Sequence, residues 1–215
     1  RFYRRLPRAR ILVTGASVAG RLRAEGFDVS FAPKGYDPAS QFVQSESRDL
    51  QRRDIELGFI GRTASAAYSG RKELLEELLR TEPGADYRQM LNRIRLFISA
   101  DVGLDEYMAK NFEAMACGCV LLAWRQGVDE PAIGLREGEH LLLYNSLSEL
   151  RGHIAGLRSD PLRAQQIADA GRAYVERHLS YTHLAARMVS LLDEPWPIVP
   201  PASGWRALWQ RLNFF

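Results

Sequence analysis

Two short stretches, CVLLAW at 119–124 and HLLLYN at 140–145, are apolar at almost every position, and this limits the fold more than any other feature of the chain. A strand with one wet face alternates apolar and polar residues. A strand that is apolar on both faces needs cover on both, as in a parallel sheet held between helices. IELGFIG (55–61) and RLFISA (95–100) read the same way. Between these runs lie segments with helical spacing: SGRKELLEELLR (69–80), with Leu74, Leu75, Leu78 and Leu79 on one side, ADYRQMLNR (85–93) and NFEAMAC, which Gly118 closes. The alternation predicts an α/β domain on a doubly wound parallel sheet, Rossmann-like in layout.

Upstream, ARILVTG (9–15), a helix over 17–25 behind a Ser cap, and VSFAP make one β-α-β unit. A turn at Gly35-Tyr36-Asp37-Pro38 follows, then a polar stretch that reads as a linker. The expected organisation is a remnant of a first domain at 1–44, a linker at 45–54, the main domain at 55–194, and a crossing segment with an amphipathic helix at 195–215. Downstream, Ser146 to Glu149 fits a capping box and Ser159-Asp160-Pro161 a second helix start, so three helices are expected near 147–158, 161–178 and 181–192. Beyond the prolines at 195, 197, 200 and 201, Trp205, Leu208, Trp209, Leu212 and Phe215 share one helical face. This tail is expected to pack back on the first domain; a peripheral membrane contact through residues 203–215 is the alternative.

With 46% hydrophobic and 26% charged residues, the chain has the composition of a folded globular protein, and Lys plus Arg (29) exceeds Asp plus Glu (26) by too little to imply a nucleic-acid partner. No apolar run approaches the ~20 residues that cross a bilayer. The expected setting is cytoplasmic, extending to the inner face of the membrane if the tail meets lipid. The absence of an initial Met suggests a piece of something larger. Cys117 and Cys119 read as small buried residues, and the four histidines show no ligand-like grouping, so no metal is expected.

Chemistry concentrates in DEYMAKNFEAMACGCVLLA (105–123), where Glu113 is expected in the first turn of a helix. Unpaired amides and the helix dipole suit a phosphate or a sugar hydroxyl there. The run KNFEAMACGCVLLA resembles the signature of family-4, or group 1, glycosyltransferases, in particular their spore-maturation-like (CgeB-type) branch. KGYDPASQF (34–42) and GFIGR (58–62) are similar to the family's inter-domain turn and to the strand that opens its second domain.

The resemblance implies a GT-B fold and a nucleotide-diphosphate-sugar donor, with a glycan, lipid or protein as acceptor. Glu113 would accept from the ribose hydroxyls. Asp105, eight positions earlier, would face the donor sugar as the catalytic residue, with Glu106 beside it among the substrate-binding residues. Arg62, Arg71, Lys72 and Lys110 would lie against the diphosphate, with Asn111 and Phe112 among the substrate contacts. It further implies retention of configuration, no divalent cation and no separate cofactor. A dehydrogenase reading, from VTGASVAG and the Tyr68 to Lys72 Y-x-x-x-K spacing, fails because the glycine spacing breaks and the two motifs are too close. A non-catalytic module with the same fold is the remaining alternative.

Overall fold

Two parallel sheets form in the computed structural model, which describes residues 9–60, 87–100 and 106–195. The first pairs β1 (Ile11–Val13) with β2 (Val29–Phe31), Ile11 opposite Val29, through the crossover helix α1 (Ala16–Ala24). The expected serine cap is not what starts α1. Gly15 holds the cap position without a side chain to offer, and the Ala16 amide donates instead to the Asp129 carboxylate at 2.7 Å.

The second sheet runs β3 (Ile55–Gly58), β4 (Ile94–Ser99), β5 (Val120–Trp124) and β6 (Leu142–Tyr144), in that order and parallel throughout. Helices α2 (Tyr87–Arg93), α3 (Ala109–Ala116) and α4 (Asp129–Ile133) are interleaved, and α5 (Leu147–Ser159), α6 (Pro161–His178) and α7 (Tyr181–Asp193) follow. The helix expected over 69–80 lies outside the described residues.

Alternate strand residues enter separate cores. Phe97, Leu121 and Leu143 pack with Leu91, Phe112 and Met115 on one face, while Leu96, Ile98 and Leu122 pack with Leu150, Ile154 and Ile167 on the other. Each such side chain contributes about 1.5–3 kcal/mol on burial. This two-sided cover is why the strands are apolar throughout, and it gives the doubly wound α/β fold read from the sequence.

The starts of α5, α6 and α7 are built as their sequences suggest. Ser146 Oγ accepts the Glu149 amide, and the Glu149 carboxylate reaches back to the amide of Asn145, one residue beyond the usual capping-box partner. Asp160 accepts the Arg163 amide ahead of Pro161, and Ser180 caps α7. The polar stretch at 45–54 consists of two 3-10 turns, Ser45–Ser47 and Leu50–Arg52, lying against the second sheet. Leu50 is buried, and the buried Arg53 guanidinium donates to the carbonyls of Ser47, Ile94 and Cys117.

Helix α7 returns to the first sheet. Tyr36 donates its amide to Leu179 O and accepts from the Tyr181 amide, and Gly35 lies so close that an added Cβ would stand 2.2 Å from Leu179 O. The amphipathic tail at 203–215 lies outside the described residues. Among those described, no helix is long and apolar enough to cross a membrane.

Candidate functional site

The carboxyl ends of both parallel sheets converge on the residues around the start of α3. Thr14 follows β1, Lys34 lies beyond β2, Phe59 follows β3, and the segment from Arg125 to Glu130 follows β5. Open parallel sheets bind ligands outside this edge, because the loops there are set by the strands and the following helices present their N-termini.

Helix α3 starts at Ala109 behind Met108, whose side chain makes no capping bond. The sequence placed the start two residues later, so Glu113 is corrected from the first turn to the second. Its amide is therefore inside the helical ladder, and the first turn holds no acid. Glu113 is half-buried, and its Oε2 accepts a 2.6 Å bond from the Tyr87 hydroxyl. Burial, reinforced by the bond to Glu113, drives the Tyr87 phenol far above its ordinary pKa of 10.0, so it stays a neutral donor that fixes the carboxylate's orientation. The Lys110 ammonium stands 4.8 Å from the centroid of the buried Phe59 ring, a cation–π contact.

Asn111 and Phe112 have no exposed surface. The Phe112 ring belongs to the core, edge-on to Tyr107 at 6.4 Å, so the expected substrate contacts of these two residues rest on the family resemblance alone. Glu106 faces the first unit, accepting from Thr14 Oγ1 at 2.7 Å and pairing with Lys34 Nζ at 2.9 Å. Asp105, Arg62, Arg71 and Lys72 lie outside the described residues, as does the Y-x-x-x-K segment.

Four residues at this edge escaped the sequence reading of the site: Tyr87, Lys34, Thr14 and Asp129. Asp129 is fully buried, and desolvation pushes its carboxyl above the ordinary range even though Ala16 donates to it. Glu130 beside it accepts from the Tyr107 hydroxyl and the Gln126 amide, at 2.8 and 2.7 Å. The one available signal was position, since Thr14 and Lys34 each come just after a strand of a parallel sheet.

Cys117 and Cys119 are free and buried, and burial raises their thiols to about 12 and about 11, so they are inert packing residues. Among the described residues no group of three or more His, Cys, Asp or Glu side chains is arranged to hold a metal ion. A shallow concavity lined by Leu50, Glu56, Arg95, Leu157 and Arg158 lies at the opposite edge, where β3 and β4 begin.

A family model described as "Glycosyl transferase-like" matches residues 45–190. No curated protein sequence matches the chain. Among solved structures, sucrose-phosphate synthase from Thermosynechococcus elongatus superposes with a TM-score of 0.65 at 15% identity over 88% of this chain and 59% of its own. The Anabaena HepE protein, solved in complex with UDP and glucose, gives 0.68 at 14% identity, over 86% of this chain and 63% of that one. A glycosyltransferase from Rickettsia africae gives 0.57 at 11% identity, over 91% and 68%. The chain thus spans less than two thirds of the first two proteins, and at these identities the likeness is one of fold: the doubly wound α/β arrangement of GT-B proteins.

Proposed function

From the premise that the chain belongs to the glycosyl transferase-like family, we propose that it moves a sugar from a nucleotide-diphosphate-sugar donor to a glycan, lipid or protein acceptor, with residues 55–194 as the donor-binding half. The observation that carries this reading is the Glu113 carboxylate, half-exposed on α3 at the carboxyl edge of the sheet and oriented by a partly buried phenol. A carboxylate so held is matched to vicinal hydroxyls, because it only accepts and both its oxygens can serve one diol. In the proposal Glu113 takes the ribose hydroxyls of the nucleotide and Asp105 faces the donor sugar.

Lys110, Arg62, Arg71 and Lys72 face the diphosphate. As the bond from the anomeric carbon to the diphosphate breaks, negative charge accumulates on the leaving phosphate oxygens, and cations fixed beside them lower the barrier. The reading assigns that task to these side chains with no divalent cation, and the outcome is retention. The HepE structure with UDP and glucose supports the choice of donor class, since its fold is shared.

Calorimetric titration with UDP, GDP and ADP tests the proposal. One of them should bind, and Glu113→Gln should weaken it by about 1–3 kcal/mol, because one acceptor of the diol becomes an amide that also donates. An affinity unchanged by Glu113→Gln would remove Glu113 from the site.

A further inference from the structure

The first β-α-β unit is gripped at its carboxyl edge by two acids of the second. Glu106 uses Oε2 for the Thr14 hydroxyl at 2.7 Å and Oε1 for the Lys34 ammonium at 2.9 Å. Asp129, with no exposed surface, accepts the amide of Ala16, the first residue of α1, where the helix dipole favours an anion. Thr14 and Ala16 follow β1 and Lys34 lies beyond β2, so both strands of the first sheet are gripped at the edge facing α3. The Lys34 ammonium also lies 3.4 Å from the sulfur of Met108, the residue that precedes α3.

On the donor-site reading given above, we infer that Glu106 is a positioning residue: with Asp129 it docks the first unit over the start of α3 and fixes the distance across the cleft to Lys110 and Glu113. Both described Glu106 contacts point away from the second domain and into the first unit. The side chains of the Lys34–Glu106 pair are only 23% and 27% exposed, so solvent screens the pair less than one on the open surface. The Thr14 hydroxyl adds a directional bond that orients the carboxylate. Loss of this clamp should therefore alter the relation between the two units and leave nucleotide binding on the second domain in place.

UDP titration and amide hydrogen exchange at Ala16, measured on the chain and on its Glu106→Gln, Glu106→Lys, Lys34→Glu and Glu106→Lys/Lys34→Glu variants, test the inference. Exchange at Ala16, whose amide is held by Asp129, should quicken by about tenfold in each single charge reversal and return toward the wild-type rate in the swapped pair. UDP affinity of Glu106→Gln should stay within about twofold of wild type. Weakening of UDP by about tenfold in Glu106→Gln would make Glu106 a ligand-holding group, and failure of the swapped pair to restore protection would dissolve the clamp; either result overturns the inference. Should a single reversal not fold, the swapped pair and Glu106→Gln still decide. If wild type binds none of UDP, GDP and ADP, the donor-site reading falls, while the exchange measurement still reports on the clamp.

Discussion

Glu113 and Tyr87 come from different helices and share one hydrogen bond, and that bond decides how the carboxylate is presented. Tyr87→Phe keeps the ring and deletes the donor. A hydrogen bond to a charged group is worth about 1.5–3 kcal/mol, but a half-exposed carboxylate recovers part of that from water. Affinity for the bound nucleotide should therefore fall by about threefold to tenfold, less than with Glu113→Gln, and calorimetry on the two variants gives the order. The pairing was not legible in the sequence, because periodicity places each residue on its own helix and says nothing of which helix faces meet. Position 112 differs: the motif reading took Lys110, Asn111 and Phe112 together with Glu113, and did not show that the helical turn sends Phe112 into the core. His140 offers a pH test at the same scale. It stacks on Tyr174, its Nδ1 accepts the Arg136 amide, and burial holds its pKa below the ordinary 6.5. The folded state then binds fewer protons than the unfolded one below about pH 6.5, so this contribution is intact above that pH and is lost as pH falls toward the depressed value. The melting temperature should drop between pH 7 and pH 5.5 more steeply for wild type than for His140→Phe, and equal slopes would exclude His140 as the cause.

At the scale of elements, the hinge between α3 and β5 shows what a glycine is for. Gly118 has φ +78°, its amide closes the helix onto Met115 O, and an added Cβ would stand 2.8 Å from Arg53 Nη2. Gly118→Ala thus combines left-handed strain of about 1–2 kcal/mol with displacement of a guanidinium that serves three main-chain carbonyls. We expect a loss of about 2–4 kcal/mol, seen as a lower urea midpoint at unchanged slope. Strands were legible because burial on both faces writes itself into every position of a run such as 119–124. Helix ends were legible where a side chain does the capping, as at Ser146, Asp160 and Ser180, and not at α3, where Met108 contributes none. The burial of Arg53 within 45–54 was not legible, because composition counts an arginine as solvated, whereas main-chain carbonyls satisfy its donors in the interior.

Among the described residues, the first unit is fastened to the second at the carboxyl edge of its sheet through Thr14, Ala16 and Lys34, and again along α7. The second fastening centres on Arg10, whose side chain is 4% exposed and paired with Asp28, and whose guanidinium donates to the carbonyls of Leu191, Leu192, Glu194 and Pro195. The last carbonyls of a helix have no partner within it, and a cation there also meets the negative end of the dipole. Here that cation comes from the beginning of the described chain, so the end of α7 and the start of β1 are one structural unit despite their separation in sequence. Arg10→Met retains the apolar stem and removes every donor. If Arg10 is the fastener, amide exchange over 191–193 should accelerate while the caps of α5 and α6 keep their protection, and the loss in stability should be about 1–3 kcal/mol. If packing of Leu184 and the Tyr36 main-chain bonds alone hold α7, exchange at its end will not change. The two outcomes differ because α7's described contacts with Tyr36 lie at its first turn, whereas those from Arg10 lie at its last.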